Sequence, residues 1–133
     1  MNLPKNPFLV SLSPGQLLNM IEIMQDGIRK KTIPATTRGK KKFELMELQD
    51  ALKWQVERVK TSEDVELWGK MIGLPVMILP LDEMGTITGP KDGLTVNVEW
   101  GTSGQENDYY PMELDIRIPS YIWQIPSYIW QIP

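Results

Sequence analysis

Up to Ile72 the apolar residues of this 133-residue chain recur mainly every three or four positions, and from Val76 onward they recur mainly every second one. That single change of period constrains the fold more than any other feature. A repeat near 3.6 lines one side of a helix, and a repeat of two lines one face of a strand. Leu17, Ile21, Met24 and Ile28 form the first helical stripe. Ser13-Pro14 marks its start, as an N-cap followed by the residue favoured at the first helical position. Gly27 weakens the last turn. Thr32-Ile33-Pro34 ends the helix, because the residue before a proline is driven out of the helical region. A second helix is expected over about residues 42–60, with Leu45, Leu48, Leu52, Val56 and Val59 on one side and Trp54 on a flank. Ser62 reads as the next cap, with Glu63 and Asp64 in the first turn. The short third helix then brings Val65, Trp68 and Ile72 together and stops at Gly73-Leu74-Pro75.

In the second half, VMILP reads as a short buried strand. GTIT and LTVNVEW, joined by the turn GPKDG, read as two more, with Leu94, Val96, Val98 and Trp100 on the buried side. GTSGQEN is a polar turn, and DYYPMELDIRI resumes extended structure through a proline-containing corner. The stretch from residue 85 to 116 resembles the small SH3-like barrels of the Tudor and KOW type. Gly85, Gly89, Val98, Trp100, Gly101, Tyr109 or Tyr110, and Leu114 carry that resemblance. It implies a binding or assembly module, with Trp100, Tyr109 and Tyr110 as the positions for an aromatic binding face. Rings of this kind hold a cation by roughly 0.5–2 kcal/mol per contact. The competing reading puts Trp100 and one tyrosine in the barrel core.

Composition removes several classes of work. With no cysteine there is no disulfide framework and no thiol nucleophile. With no histidine, the usual base near neutral pH and the commonest transition-metal ligand are both missing. The acidic residues form no recognisable metal or phosphate motif. We therefore expect a non-enzymatic protein with no catalytic residues, no metal and no cofactor; an enzyme working through carboxylates and a metal is the remaining reading. No apolar run is long enough to cross a bilayer, so the expectation is a cytoplasmic protein of a bacterial or infected host cell, with a virus particle as the other setting.

Charge is concentrated in one place. Arg29, Lys30, Lys31, Arg38, Lys40, Lys41 and Lys42 are half of the fourteen basic residues, with no acid among them. The net charge of −3 is therefore +7 on this segment and −10 elsewhere. As an exposed connection over residues 29–42, it suits either nucleic-acid phosphates or an acidic protein surface, such as that of Asp82, Glu83 or Glu106. Plain solvation is the third reading.

The chain ends on IPSYIWQ written twice, then IP, with prolines at 119, 126 and 133. Proline inside a helix costs about 3 kcal/mol and removes a donor, so an extended arm is expected. Side chains alternate along an extended chain and seven is odd. Tyr121 and Trp123 would then face one way, and Tyr128 and Trp130 the other. These four rings are the candidate subunit contacts, with the first copy expected to complete the local fold and the second to reach a partner subunit. An edge strand, on the same barrel or a neighbour's, is the expected acceptor.

The sequence thus reads as an α+β chain with a helical N-terminal region (residues 1–75), an SH3-like antiparallel β-barrel (76–118) and a duplicated apolar C-terminal arm (119–133). The expected function is that of an oligomerising interaction and assembly protein, phage- or mobile-element-encoded. The alternative is a nucleic-acid-binding accessory protein.

Overall fold

A computed structural model describes residues 4, 6–29, 37–101 and 103–126. The chain is α+β: helices first, then a five-stranded antiparallel sheet. A 3-10 turn (Pro7–Ser11) leads into α1 (Pro14–Arg29), α2 (Arg38–Lys60) and α3 (Val65–Gly69). The strands are β1 (Pro75–Ile78), β2 (Glu83–Pro90), β3 (Val96–Trp100), β4 (Glu106–Tyr109) and β5 (Leu114–Ile116).

Helix α1 begins where Ser13-Pro14 places it. Ser13 Oγ accepts from the Gln16 N–H at 3.2 Å, and Gln16 Oε1 accepts from the Ser13 N–H at 2.9 Å, a reciprocal capping box. Leu17, Ile21 and Ile28 are fully buried, while Met24 is only half-buried and Gln25 takes the core position beside it. The expected stop at Thr32-Ile33-Pro34 lies outside the described residues.

Helix α2 starts at Arg38, about a turn earlier than its apolar stripe suggests. Arg and Lys are good helix formers, so the second basic cluster extends the helix instead of forming a loop. The cap of α3 is also displaced. Asp64 accepts from the Glu66 N–H at 3.0 Å, while Ser62 Oγ receives the Asp64 N–H. The helix ends at Gly69 and its register goes no further. Met71 is therefore buried and Ile72 is exposed, where the periodicity had placed Ile72 inside.

Strand order is β4-β3-β2-β1-β5, all neighbours antiparallel. Val76 and Ile78 of β1, Ile87 of β2, and Val96 and Val98 of β3 point inward. Leu94 does not: it precedes β3 and is 66% exposed, whereas Thr95 is buried. The cause is Asp92, whose Oδ1 accepts from the backbone N–H groups of Leu94 and Thr95 at 2.8 and 2.9 Å and lies 3.0 Å from the Thr95 hydroxyl. That turn rotates Leu94 out.

Two cores result. One joins α1 and α2 around Leu17, Ile21, Leu45 and Leu52; the other joins the sheet to Val59, Trp68, Met71 and Leu74. Val56 and Ile118 pack against both. Elements change from helix to strand near residue 75, but the apolar packing does not divide there. At the seam, the Gly15 N–H donates to the Ile72 carbonyl at 2.9 Å, and Gly73 adopts φ +87° against Gly15. A Cβ on Gly73 would sit 2.3 Å from Gly15 Cα, so two glycines are needed where these backbones cross.

Candidate functional site: a dock for the C-terminal repeat

Among the described residues, the first copy of the C-terminal repeat is held by five side-chain hydrogen bonds to its main chain. That copy is neither extended nor paired with a strand edge. Pro119 stands before a 3-10 turn, Ser120–Trp123, closed by hydrogen bonds from Ile122 N–H to Pro119 O and from Gln124 N–H to Tyr121 O, both 3.1 Å. Proline bars a long helix, yet one tight turn is open to it. At three residues per turn, consecutive side chains diverge instead of alternating. Ile122 points into the helical core with 0% exposure. Tyr121 lies beside α1, near Asn19, Glu22 and Asp26, and Trp123 lies beside α2, near Met46, Asp50 and Lys53.

Two glutamines hold the main chain of this turn. Gln25 Nε2 is 2.8, 3.3 and 3.0 Å from the carbonyl oxygens of Tyr121, Ile122 and Gln124. Gln49 Nε2 is 2.9 Å from those of Ile122 and Gln124. Both side chains are buried, at 2% and 9% exposure. A carbonyl accepts and never donates, so each amide must present its NH₂ group here. Each such bond contributes about 0.5–1.5 kcal/mol net, and burial of Ile122 adds about 1.5–3 kcal/mol. Gln55 does similar work for the N-terminal segment, donating to Leu12 O at 2.6 Å.

Tyr121 Oη is 3.3 Å from Glu22 Oε1. Desolvation, then the Glu22 carboxylate, pushes its phenol above the ordinary tyrosine value.

Sequence reasoning set Tyr121 and Trp123 among the candidate subunit contacts, while expecting the first copy to complete the local fold. The structure puts both rings, partly exposed, on the flanks of their own chain's dock. Tyr128 and Trp130 lie outside the described residues. The three glutamines were missed, though a signal existed: Gln25, Gln49 and Gln55 fall on the apolar stripes of their helices. A polar side chain there needs a buried partner.

The three candidate residues of an aromatic face do not converge. Trp100 Nε1 is 3.0 Å from Tyr109 Oη, and both rings pack partly buried against the sheet core. Tyr110 turns elsewhere, into a groove of about 560 Å³ with Trp68, Leu94, Met112, Leu114 and Ile116. Met112 and Leu94 are 83% and 66% exposed there.

The basic residues are likewise divided. Arg29 closes α1, 3.9 Å from Asp26. Arg38, Lys40, Lys41 and Lys42 are within the first five residues of α2, with Lys41 paired to Glu44 at 3.1 Å. Lys30 and Lys31 lie outside the described residues. Among the described residues, no helix is long and apolar enough to cross a membrane. Compared with known protein families, curated proteins and solved structures, the chain finds no match in any of the three.

Proposed function

We propose that this protein works by binding and assembly without catalysis, as an oligomerising interaction protein whose C-terminal arm packs on a neighbouring subunit. One observation carries the reading: the first copy of the repeat is gripped by Gln25 and Gln49, with Ile122 buried. The grip ends beside Pro126, after which seven more uncharged residues follow. Burying even one isoleucine or ring of the second copy contributes on the order of 1.5–3 kcal/mol, which favours an apolar acceptor on another subunit. The groove beside Tyr110 and Met112 is the acceptor we assign to it. The SH3-like resemblance, an assembly fold in this reading, is supported by the 3-10 corner Pro111–Glu113 that leads into Leu114. A cysteine-free chain suits the reducing cytoplasm, and a phage- or mobile-element-encoded assembly protein fits that setting. Removing residues 126–133 should lower the mass measured by light scattering at both low and high salt. An unchanged mass counts against the proposal.

A second reading, nucleic-acid contact, draws on the start of α2. Four basic residues and no acid stand at the end of the helix where the dipole itself favours anions. Binding of this kind weakens steeply with salt. It should vanish in gel shifts when Lys40, Lys41 and Lys42 are all replaced by glutamine; behaviour identical to the parent's removes the idea.

A further inference from the structure

The site between α1 and α2 holds one copy of the repeat, and the sequence contains that copy twice. Residues 118–126 read IPSYIWQIP, and residues 125–133 read the same. Three side chains anchor the docked segment: Ile118 between the two cores, Tyr121 at Glu22, and Ile122 in the helical core. Their counterparts in the second copy are Ile125, Tyr128 and Ile129, identical in type and spacing. The remaining recognition is of main-chain carbonyls, at residues 121, 122 and 124. Residues 128, 129 and 131 supply the same groups at the same intervals. Nothing in the dock distinguishes one copy from the other.

We infer that the site between α1 and α2 is a peptide-recognition site for uncharged segments centred on a buried isoleucine, with tyrosine one residue before it, proline three before and a second isoleucine four before. Its alternate occupant is the second copy of the same chain's repeat, entering when the tail slips by seven residues. The tether ranks the two registers. Only residues 117–119 separate β5 from the docked turn, and the Arg117 N–H still bonds to Pro75 O at 3.0 Å. The slipped register must push seven residues into a loop and bear the entropy of closing it. The first copy therefore dominates in the intact chain, and the second takes over when the first is spoiled. The inference concerns a single chain and stands whether or not the arm also meets a neighbour.

The test uses the full chain as Ile122→Asp, Ile129→Asp and the double variant, with circular dichroism to verify the fold. Exchange of the Gln25 and Gln49 side-chain amide protons, followed by NMR at two protein concentrations, reports occupancy of the dock. Ile129→Asp should match the parent. Ile122→Asp should keep protection roughly tenfold or more above the double variant, given what one buried isoleucine contributes, and independently of concentration. If aspartate disrupts folding, the corresponding alanine variants are read the same way. Equal loss of protection in the single and double variants overturns the inference. So does protection of Ile122→Asp that appears only at the higher concentration, which would make a neighbour's tail the occupant.

Discussion

The side-chain amide of Gln25 lies 2.8 Å from the carbonyl oxygen of Tyr121, a contact spanning 96 residues of sequence. It joins the C-terminal half of the first helix to a turn that follows the last strand. Gln49 approaches the same turn from the second helix, so its carbonyls are bracketed from two sides.

Replacing either glutamine by alanine removes at least two hydrogen bonds to the turn, while the other amide still donates to Ile122 O and Gln124 O. Each substitution should cost about 1–3 kcal/mol, and the pair should be non-additive because both amides serve Ile122 O and Gln124 O. Chemical denaturation of the two single variants and the double measures this. Protease cutting between residues 119 and 126 should accelerate in all three.

Gly73→Ala introduces a Cβ at 2.3 Å from Gly15 Cα and forces a side chain onto φ +87°. We expect a loss of roughly 2–4 kcal/mol. Gly39→Ala is the informative contrast. It lies within α2 with nothing within 4 Å of the added carbon, and the helical preference of alanine should raise stability by up to about 1 kcal/mol. Thermal melts of the two variants should therefore move in opposite directions.

Acid should loosen the turn before β3. The backbone N–H of Leu94, then the hydroxyl and N–H of Thr95, hold the Asp92 carboxyl below its ordinary value of 3.8. A lowered folded-state pKa means the contribution is present above about 3.8 and fades as pH falls through the lower native value. The stability difference between the parent and Asp92→Ala should be largest near neutrality and shrink below that range.

Alkali should act on the tail in the opposite sense. The Tyr121 phenol titrates above its ordinary value of 10.0, through desolvation and the nearby Glu22 carboxylate. Its contribution is complete below pH 10 and is lost as pH rises through the raised native value. In denaturation experiments, Tyr121→Phe should lose less stability than the parent over that interval.

Much of the fold was legible because local signals agreed with one another. Ser13-Pro14 set the start of α1, and the alternation through Val96 and Val98 set the inner face of β3. Failures occurred where a short-range hydrogen bond overrode periodicity. Asp92 turned Leu94 outward, and the early end of α3 exchanged Met71 for Ile72. The dock was the least legible part. Among the described residues 119–126, no helix longer than the single 3-10 turn Ser120–Trp123 forms, and such a turn escapes the argument from proline spacing. The glutamines that grip it are polar residues on apolar stripes, whose partners lie far away along the chain. The site residues proposed from Trp100, Tyr109 and Tyr110 rested on resemblance, and adjacency in sequence says nothing about convergence in space.

Ile118 wedges between the helical core and the sheet core, immediately before the segment that the glutamines clasp. The tail is thus tied to the sheet as well as to the helices, through Ile118 and through the Arg117 N–H bond to Pro75 O. A partner that captured this end would act as a lever on the whole molecule, and its arrival could be read in the dynamics of strands it never touches.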